Sequence, residues 1–154
     1  METQKRFVTP YSRGIVFVLF VFTISCTQGQ PTNELKGHFS GKAEIIVSWC
    51  KLDSLAFDLF IDDSDIVSGS VGDAKIIKGK VKKNTFGSTK YIIEAELDGY
   101  IVKKENIKRK SIKIPFNYIE NELIGGFGTS GTKFGEKDKM IMSGMNMILM
   151  KQQE

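Results

Sequence analysis

Apolar and polar residues alternate one by one along most of this chain after residue 37. The clearest run covers residues 55–61, where every second residue is a large apolar one: Leu55, Phe57, Leu59 and Ile61. A period of two places such side chains on one face of a β-strand. The same alternation from Phe39 to Trp49 predicts a preceding strand, joined to the next by a hairpin turn at residues 51–54.

Six further segments carry strand signals, at residues 66–71, 74–83, 91–97, 111–118, 123–127 and 140–150. Residues 100–102 either follow a hairpin at Asp98-Gly99 or continue the strand past a glycine bulge. Pro115 places its strand at an edge or near a strand end. Short sequential strands without an amphipathic helix predict an all-β fold, an antiparallel meander of about eight strands. We expect a small closed barrel, with a β-sandwich as the alternative.

The N-terminal segment has the order of an export signal. Lys5, Arg6 and Arg13 precede an uncharged run of eleven residues, 14–24. Such a run spans roughly 16 Å as a helix, about half the hydrocarbon thickness of a bilayer, so a transmembrane helix is the weaker interpretation. The chain is therefore divided into a cleaved signal at 1–25, a flexible tether at 26–36 and one β domain at 37–151.

The signal ends in Thr23-Ile24-Ser25-Cys26, which resembles the lipobox of bacterial lipoproteins. Ser25 and Cys26 match that motif, whereas Thr23 departs from the leucine usual three residues before the cysteine. The resemblance implies that Cys26 becomes the lipid-modified N-terminus of an envelope protein held on the membrane. Thr27 after the cysteine resembles the outer-membrane sorting pattern, which implies a domain facing the periplasm. The alternative is a secreted protein with a disulfide between Cys26 and Cys50.

The charge of the chain does not predict nucleic-acid binding. Of the formal +4, Glu2, Lys5, Arg6 and Arg13 contribute +2 and leave with the signal, so the mature domain retains +2. Two basic clusters remain: Lys75, Lys78, Lys80, Lys82 and Lys83, and Lys103, Lys104, Lys108, Arg109 and Lys110. We interpret both as solvated strand faces.

No residue pattern predicts catalytic, metal or cofactor chemistry. The glycine-rich segment 126–133 ends Gly-Thr-Lys rather than Gly-Lys-Thr, and no helix follows it. The acidic residues Asp62, Asp63, Asp65 and Asp73 lack the spacing of a calcium loop. His38 is the only histidine, and Cys50 has no basic or second cysteine motif nearby. We therefore expect no enzyme and no cofactor.

Two features predict binding instead. Trp49, Phe57 and Phe127 could line the interior of a barrel that holds a small apolar ligand, as in a lipocalin-like carrier, although aromatic residues at strand spacing usually pack a core. Five methionines of the last segment occupy both faces of a strand: Met140, Met142, Met145, Met147 and Met150. Core filling is the default for them, and a stripe facing a partner protein is the alternative. We expect a lipid-anchored binding or structural module whose partners are the membrane and either an apolar ligand or an envelope protein.

Overall fold

The computed structural model describes residues 33–131 and 141–153. The predicted signal, Cys26, the first part of the tether and Met140 lie outside the described residues. The strands are β1 (Gly37–Ile45), β2 (Ser54–Ile61), β3 (Val67–Val71), β4 (Ala74–Lys83), β5 (Tyr91–Asp98), β6 (Tyr100–Val102), β7 (Ile107–Ile119), β8 (Glu122–Gly131) and β9 (Ser143–Lys151). Short 3-10 turns at Asn33–Leu35 and Lys103–Glu105 are the helical elements of this part of the chain.

The fold is a closed antiparallel barrel of eight strands with β6 outside the ring. All eight follow each other in a meander, in which β5 pairs with β7, and β1 closes the ring on β9. The predicted barrel is confirmed. Because the ring is closed, each of its strands has a hydrogen-bonded neighbour on both sides, and no strand edge is left unpaired.

The core is the barrel interior, and strand alternation fills it. The burial pattern of β2 alternates strictly, with Leu55, Phe57, Leu59 and Ile61 inside. Each strand of the ring adds inward residues of this kind, so one continuous apolar cluster runs from Leu35 to Leu149. Leu35 is fully buried in that cluster, so the ordered structure begins before Gly37 and includes the last residues of the predicted tether.

The strand ends define two ends of the barrel. At the Gly37 end lie the start of β1 and the loops 62–66, 84–90 and 120–121. At the Trp49 end lie the loop 46–53, the turn at Gly72-Asp73, strand β6, the end of β8 and the start of β9. Asn33, the first described residue, therefore lies at the Gly37 end.

Two local predictions were wrong. The first strand ends at Ile45, so Val47 and Trp49 belong to the loop that follows it. Pro115 lies inside a thirteen-residue strand that pairs with β5 on one side and β8 on the other, so it marks no edge. For residues 100–102 the second alternative holds: no hairpin forms at Asp98-Gly99, and the chain continues past a bend at Gly99 (φ 97°) into β6, which pairs with β7 as β5 does.

Candidate functional site

A buried arginine closes the Trp49 end of the barrel. Arg109 is 1% exposed, and its guanidinium carbon lies 5.3 Å from the centre of the Trp49 ring, a cation–π distance. Its Nε donates to Thr129 Oγ1 at 3.1 Å and its Nη1 to the Lys108 carbonyl at 2.8 Å. The prediction that Arg109 belongs to a solvated basic face is therefore wrong, because its parity on β7 points inward with Ile107.

The three aromatic residues predicted to line a ligand cavity fall into two places. Phe57 and Phe127 point into the barrel and pack on each other, with ring centres 5.5 Å apart and exposures of 2% and 4%. Trp49 lies in the loop at one end, above Arg109. Phe57 and Phe127 therefore pack inside the barrel against each other and the surrounding core side chains.

Cys50 has the environment of an unreactive thiol. Its Sγ lies 3.9 Å from Glu105 Oε1. Burial raises the pKa of the Cys50 thiol, and the nearby Glu105 carboxylate raises it further. The thiol is thus protonated at neutral pH, whereas nucleophilic cysteines have a lowered pKa.

The other titratable residues considered for chemistry form ordinary surface contacts. His38 Nε2 and Asp58 Oδ1 lie 2.6 Å apart on the outer faces of β1 and β2. Asp62 Oδ1 accepts the backbone N–H groups of Ser64 and Ile66, which is the bonding of a turn rather than of a cation site. Within residues 33–131 and 141–153, no three acidic, histidine or cysteine side chains are grouped as metal ligands would be.

An apolar surface lies on the outside of β8, β9 and the adjoining end of β7. We call it the β8–β9 face; it consists of Ile119, Ile124, Met145, Ile148 and Met150, each between 36% and 58% exposed. Ile124 and Ile148 are directly opposite each other on adjacent strands, and Ile119 and Met150 flank Glu122. Single exposed apolar residues are common, but a contiguous group on neighbouring strands is typical of an interaction site.

A bulge in β9 produces the outward methionines. Asn146 adopts a left-handed conformation (φ 51°), and the pairing with β1 shifts register at this point. Before the bulge Met142 points inward and Met145 outward; after it Met147 points inward and Met150 outward. The expectation that the methionines occupy both faces is confirmed for these four.

The surface formed by β4, β5 and β7 is charged. Lys82 and Lys113 both pair with Glu94, the latter at 3.1 Å, and Lys78 lies 3.5 Å from Glu96. Hydrogen bonds from Lys82 and Lys113 lower the pKa of the Glu94 carboxyl. A shallow concavity of about 500 Å³ runs between these side chains on the outside of the ring. The barrel thus carries a charged face and an apolar one.

Sequence reasoning identified Met145 and Met150 as an alternative contact stripe but missed Ile124 and Ile148. Because neighbouring residues of a strand point to opposite faces and Leu123 points inward, Ile124 points outward. The register that brings Ile124 beside Ile148 depends on the bulge at Asn146, for which the sequence has only a weak signal.

Comparison with known proteins gives no relative: no family model, curated protein or solved structure matches this chain. Among the described residues, no helix is both long and apolar enough to cross a membrane.

Proposed function

We propose that the chain is a lipid-anchored module of the bacterial cell envelope, without catalytic activity, that binds a partner protein through the β8–β9 face. The exposed pair Ile124 and Ile148, continued by Met145 and Met150, is the observation that carries this proposal. The two hydrogen-bonded strands hold the backbone of this face fixed, while the flexible methionine side chains can adapt to the surface of a partner protein.

The surroundings of the face favour a protein partner over a small ligand. Lys42 is opposite Ile148 on β1, and Glu122 is opposite Met150 on β8, so charges of both signs border the apolar residues. An apolar centre with a polar rim is the usual arrangement in protein interfaces. A lipocalin-like carrier is supported less well, because the inward Phe57 and Phe127 are packed against each other.

Attachment through lipid on Cys26 rests on the lipobox-like residues 23–26, with an outer-membrane, periplasm-facing location as the corresponding proposal. The position of Cys50 also favours lipid over a disulfide. Cys50 lies at the Trp49 end, whereas Leu35 is fixed at the other end. The nine peptide units from Cys26 to Leu35 span at most about 32 Å, and β1, which runs from one barrel end to the other, is roughly 27 Å long. Cys26 could therefore reach Cys50 only if this segment ran nearly straight along the barrel.

Photo-crosslinking in the host tests the binding face. A photoreactive phenylalanine analogue at position 148 should give a crosslinked product with one protein, and the same analogue at position 77 should not. Ile77 is the matched control, because it is an isoleucine 58% exposed on β4, away from the face. Equal products from both positions, or a product from position 77 alone, would contradict the assignment.

Substitution of Cys26 tests the anchor. Cys26→Ser should block maturation or release the domain from membranes, because serine has no thiol for the lipid, whereas Cys50→Ser should leave it membrane-bound. Fractionation followed by immunoblotting distinguishes the two. A Cys26→Ser protein that stays in membranes at the mature size would show that no lipid on this residue is needed.

A further inference from the structure

The hairpin between β4 and β5 presents a phenylalanine to solvent. Phe86 is 86% exposed, the largest exposure among the large apolar residues of the described chain. The loop that carries it is held in place: Asn84 Nδ2 donates to Thr89 Oγ1 at 2.9 Å, and the Lys90 N–H donates to Asn117 Oδ1 on β7 at 2.8 Å. A fixed loop that exposes an aromatic ring presents it for contact with something outside the domain.

The charges beside Phe86 are positive. Lys83 and Lys90 flank the loop and are exposed, and Lys80 and Lys82 precede them on β4. The loop itself contains no acidic residue. Acidic residues occur on the neighbouring connections: Asp62, Asp63 and Asp65 on one side and Glu120 on the other. Asp63 is paired with Lys36 at 2.9 Å. The β4–β5 hairpin therefore combines an exposed aromatic ring with flanking lysines and carries no acidic residue in its loop.

The hairpin lies at the Gly37 end, which is also the end at which the described chain begins with Asn33. Seven peptide units separate Cys26 from Asn33, and they span at most about 25 Å. A lipid on Cys26 would hold this end of the barrel within that distance of the bilayer. At such a distance the effective concentration of a weakly binding side chain is on the order of millimolar, so one aromatic ring with a few lysines is sufficient for contact.

We infer that the β4–β5 hairpin docks onto the bilayer surface, with Phe86 in the interfacial region and Lys83 and Lys90 on anionic headgroups. Aromatic rings favour the headgroup level of a bilayer, and lysines favour its anionic surface. The inference rests on the proposed lipid anchor. It gives the barrel an orientation in which the Gly37 end faces the membrane and the β8–β9 face is directed sideways, accessible to a protein.

Quenching by brominated lipids tests the docking. The full chain is expressed in a bacterial host, recovered from its membranes and reconstituted into vesicles that contain phosphatidylglycerol brominated on the acyl chains. In the wild-type protein the single tryptophan, Trp49, is at the far end of the barrel and should keep its emission. In Phe86→Trp, most of the emission that the introduced indole adds should be lost.

A pair of charge variants separates docking from general attraction to the vesicle. Lys83→Glu with Lys90→Glu, made in Phe86→Trp, should restore the emission, whereas Lys103→Glu with Lys104→Glu makes the same charge change at the other end and should not. Protein that floats with vesicles while the introduced indole is unquenched would overturn the docking and leave the anchor intact. Protein that does not float would overturn the anchor, and the docking with it.

Discussion

At the scale of single residues, the burial of Arg109 is the feature that the sequence predicts least well. It lies in a run of basic residues that predicts a solvated face, yet it is buried under Trp49 and donates hydrogen bonds to Thr129 Oγ1 and the Lys108 carbonyl. Counting every second residue from the inward Ile107 predicts that Arg109 points inward, whereas its place among other basic residues predicts that it points outward. Packing decides, because its aliphatic stem and planar guanidinium cover the apolar end of the barrel.

Truncation of Arg109 should destabilise the barrel. Arg109→Ala removes the contact with Trp49 and the bond to Thr129, and it leaves a cavity, so we expect the free energy of unfolding to fall by about 2–4 kcal/mol. Lys110→Ala, one residue on and exposed, should change it by no more than about 0.5 kcal/mol. Urea denaturation followed by Trp49 emission measures both. Equal stabilities would show that Arg109 contributes no packing.

Gly41 marks a position where two strands approach too closely for a side chain. A Cβ there would lie 2.1 Å from the Ile148 carbonyl oxygen across the β1–β9 seam, whereas a Cβ at Gly128 would meet nothing within 4 Å. Gly41→Ala should therefore cost about 1–3 kcal/mol of unfolding free energy, and Gly128→Ala much less. Thermal unfolding of the two variants compares them. A stable Gly41→Ala protein would mean that the seam has room to relax.

At the scale of elements, the bulge in β9 decides which side chains reach the surface. Asn146 has a positive φ, which glycine also adopts and a β-branched residue resists. Asn146→Gly should change the free energy of unfolding by less than about 1 kcal/mol, while Asn146→Val should cost about 1–3 kcal/mol. Chemical denaturation distinguishes them. Similar losses in both variants would instead point to the hydrogen bond from Asn146 to Glu44.

The lysine and glutamate pairs of β4, β5 and β7 predict a small acid sensitivity. The pKa of Glu94 is lowered by Lys82 and Lys113, so its contribution to stability is present above the ordinary value of 4.5 and is lost as pH falls through the lowered pKa. The Glu94 side chain is 35% exposed, so water screens its ion pairs and the contribution is under about 1 kcal/mol. Glu94→Gln should lower stability at pH 7 and leave it nearly unchanged at any pH below the lowered pKa of Glu94.

Glu96→Gln provides the control for this acid effect, because Glu96 is on the same strand with one lysine at 3.5 Å. Its substitution should change the urea midpoint at pH 7 less than Glu94→Gln does. A pH-independent loss in Glu94→Gln would assign the effect to packing rather than to charge.

At the scale of the whole molecule, the all-β class and most strands follow from a period of two in apolar residues. Residues 55–61 show why: four inward and three outward positions leave one orientation for the strand. The closure of the ring does not follow in the same way. The partner of β5 is β7 because a bend at Gly99 turns β6 out of the ring, and no local pattern predicts which distant strand then pairs.

The β8–β9 face, likewise, was predictable only in part, because it depends on strand pairing as well as on local alternation. Alternation places Met145 and Met150 in a strand, but only the register across β8 and β9, including the bulge at Asn146, joins them with Ile124 and Ile148 into one surface. The inward Phe57 and Phe127 fit the packing interpretation given to aromatic residues at strand spacing. Function is therefore proposed for the outside of this barrel.

Native mass spectrometry of the protein purified from its host membranes tests most directly whether binding takes place on the outside or the inside. We expect the wild-type protein and Ile77→Asp to carry the same partner protein, and Ile148→Asp to lose it with its fold unchanged by circular dichroism. None of the three should carry a small apolar molecule apart from the acyl chains on Cys26. A small apolar ligand retained by all three proteins, with no partner protein, would contradict the account and favour the carrier.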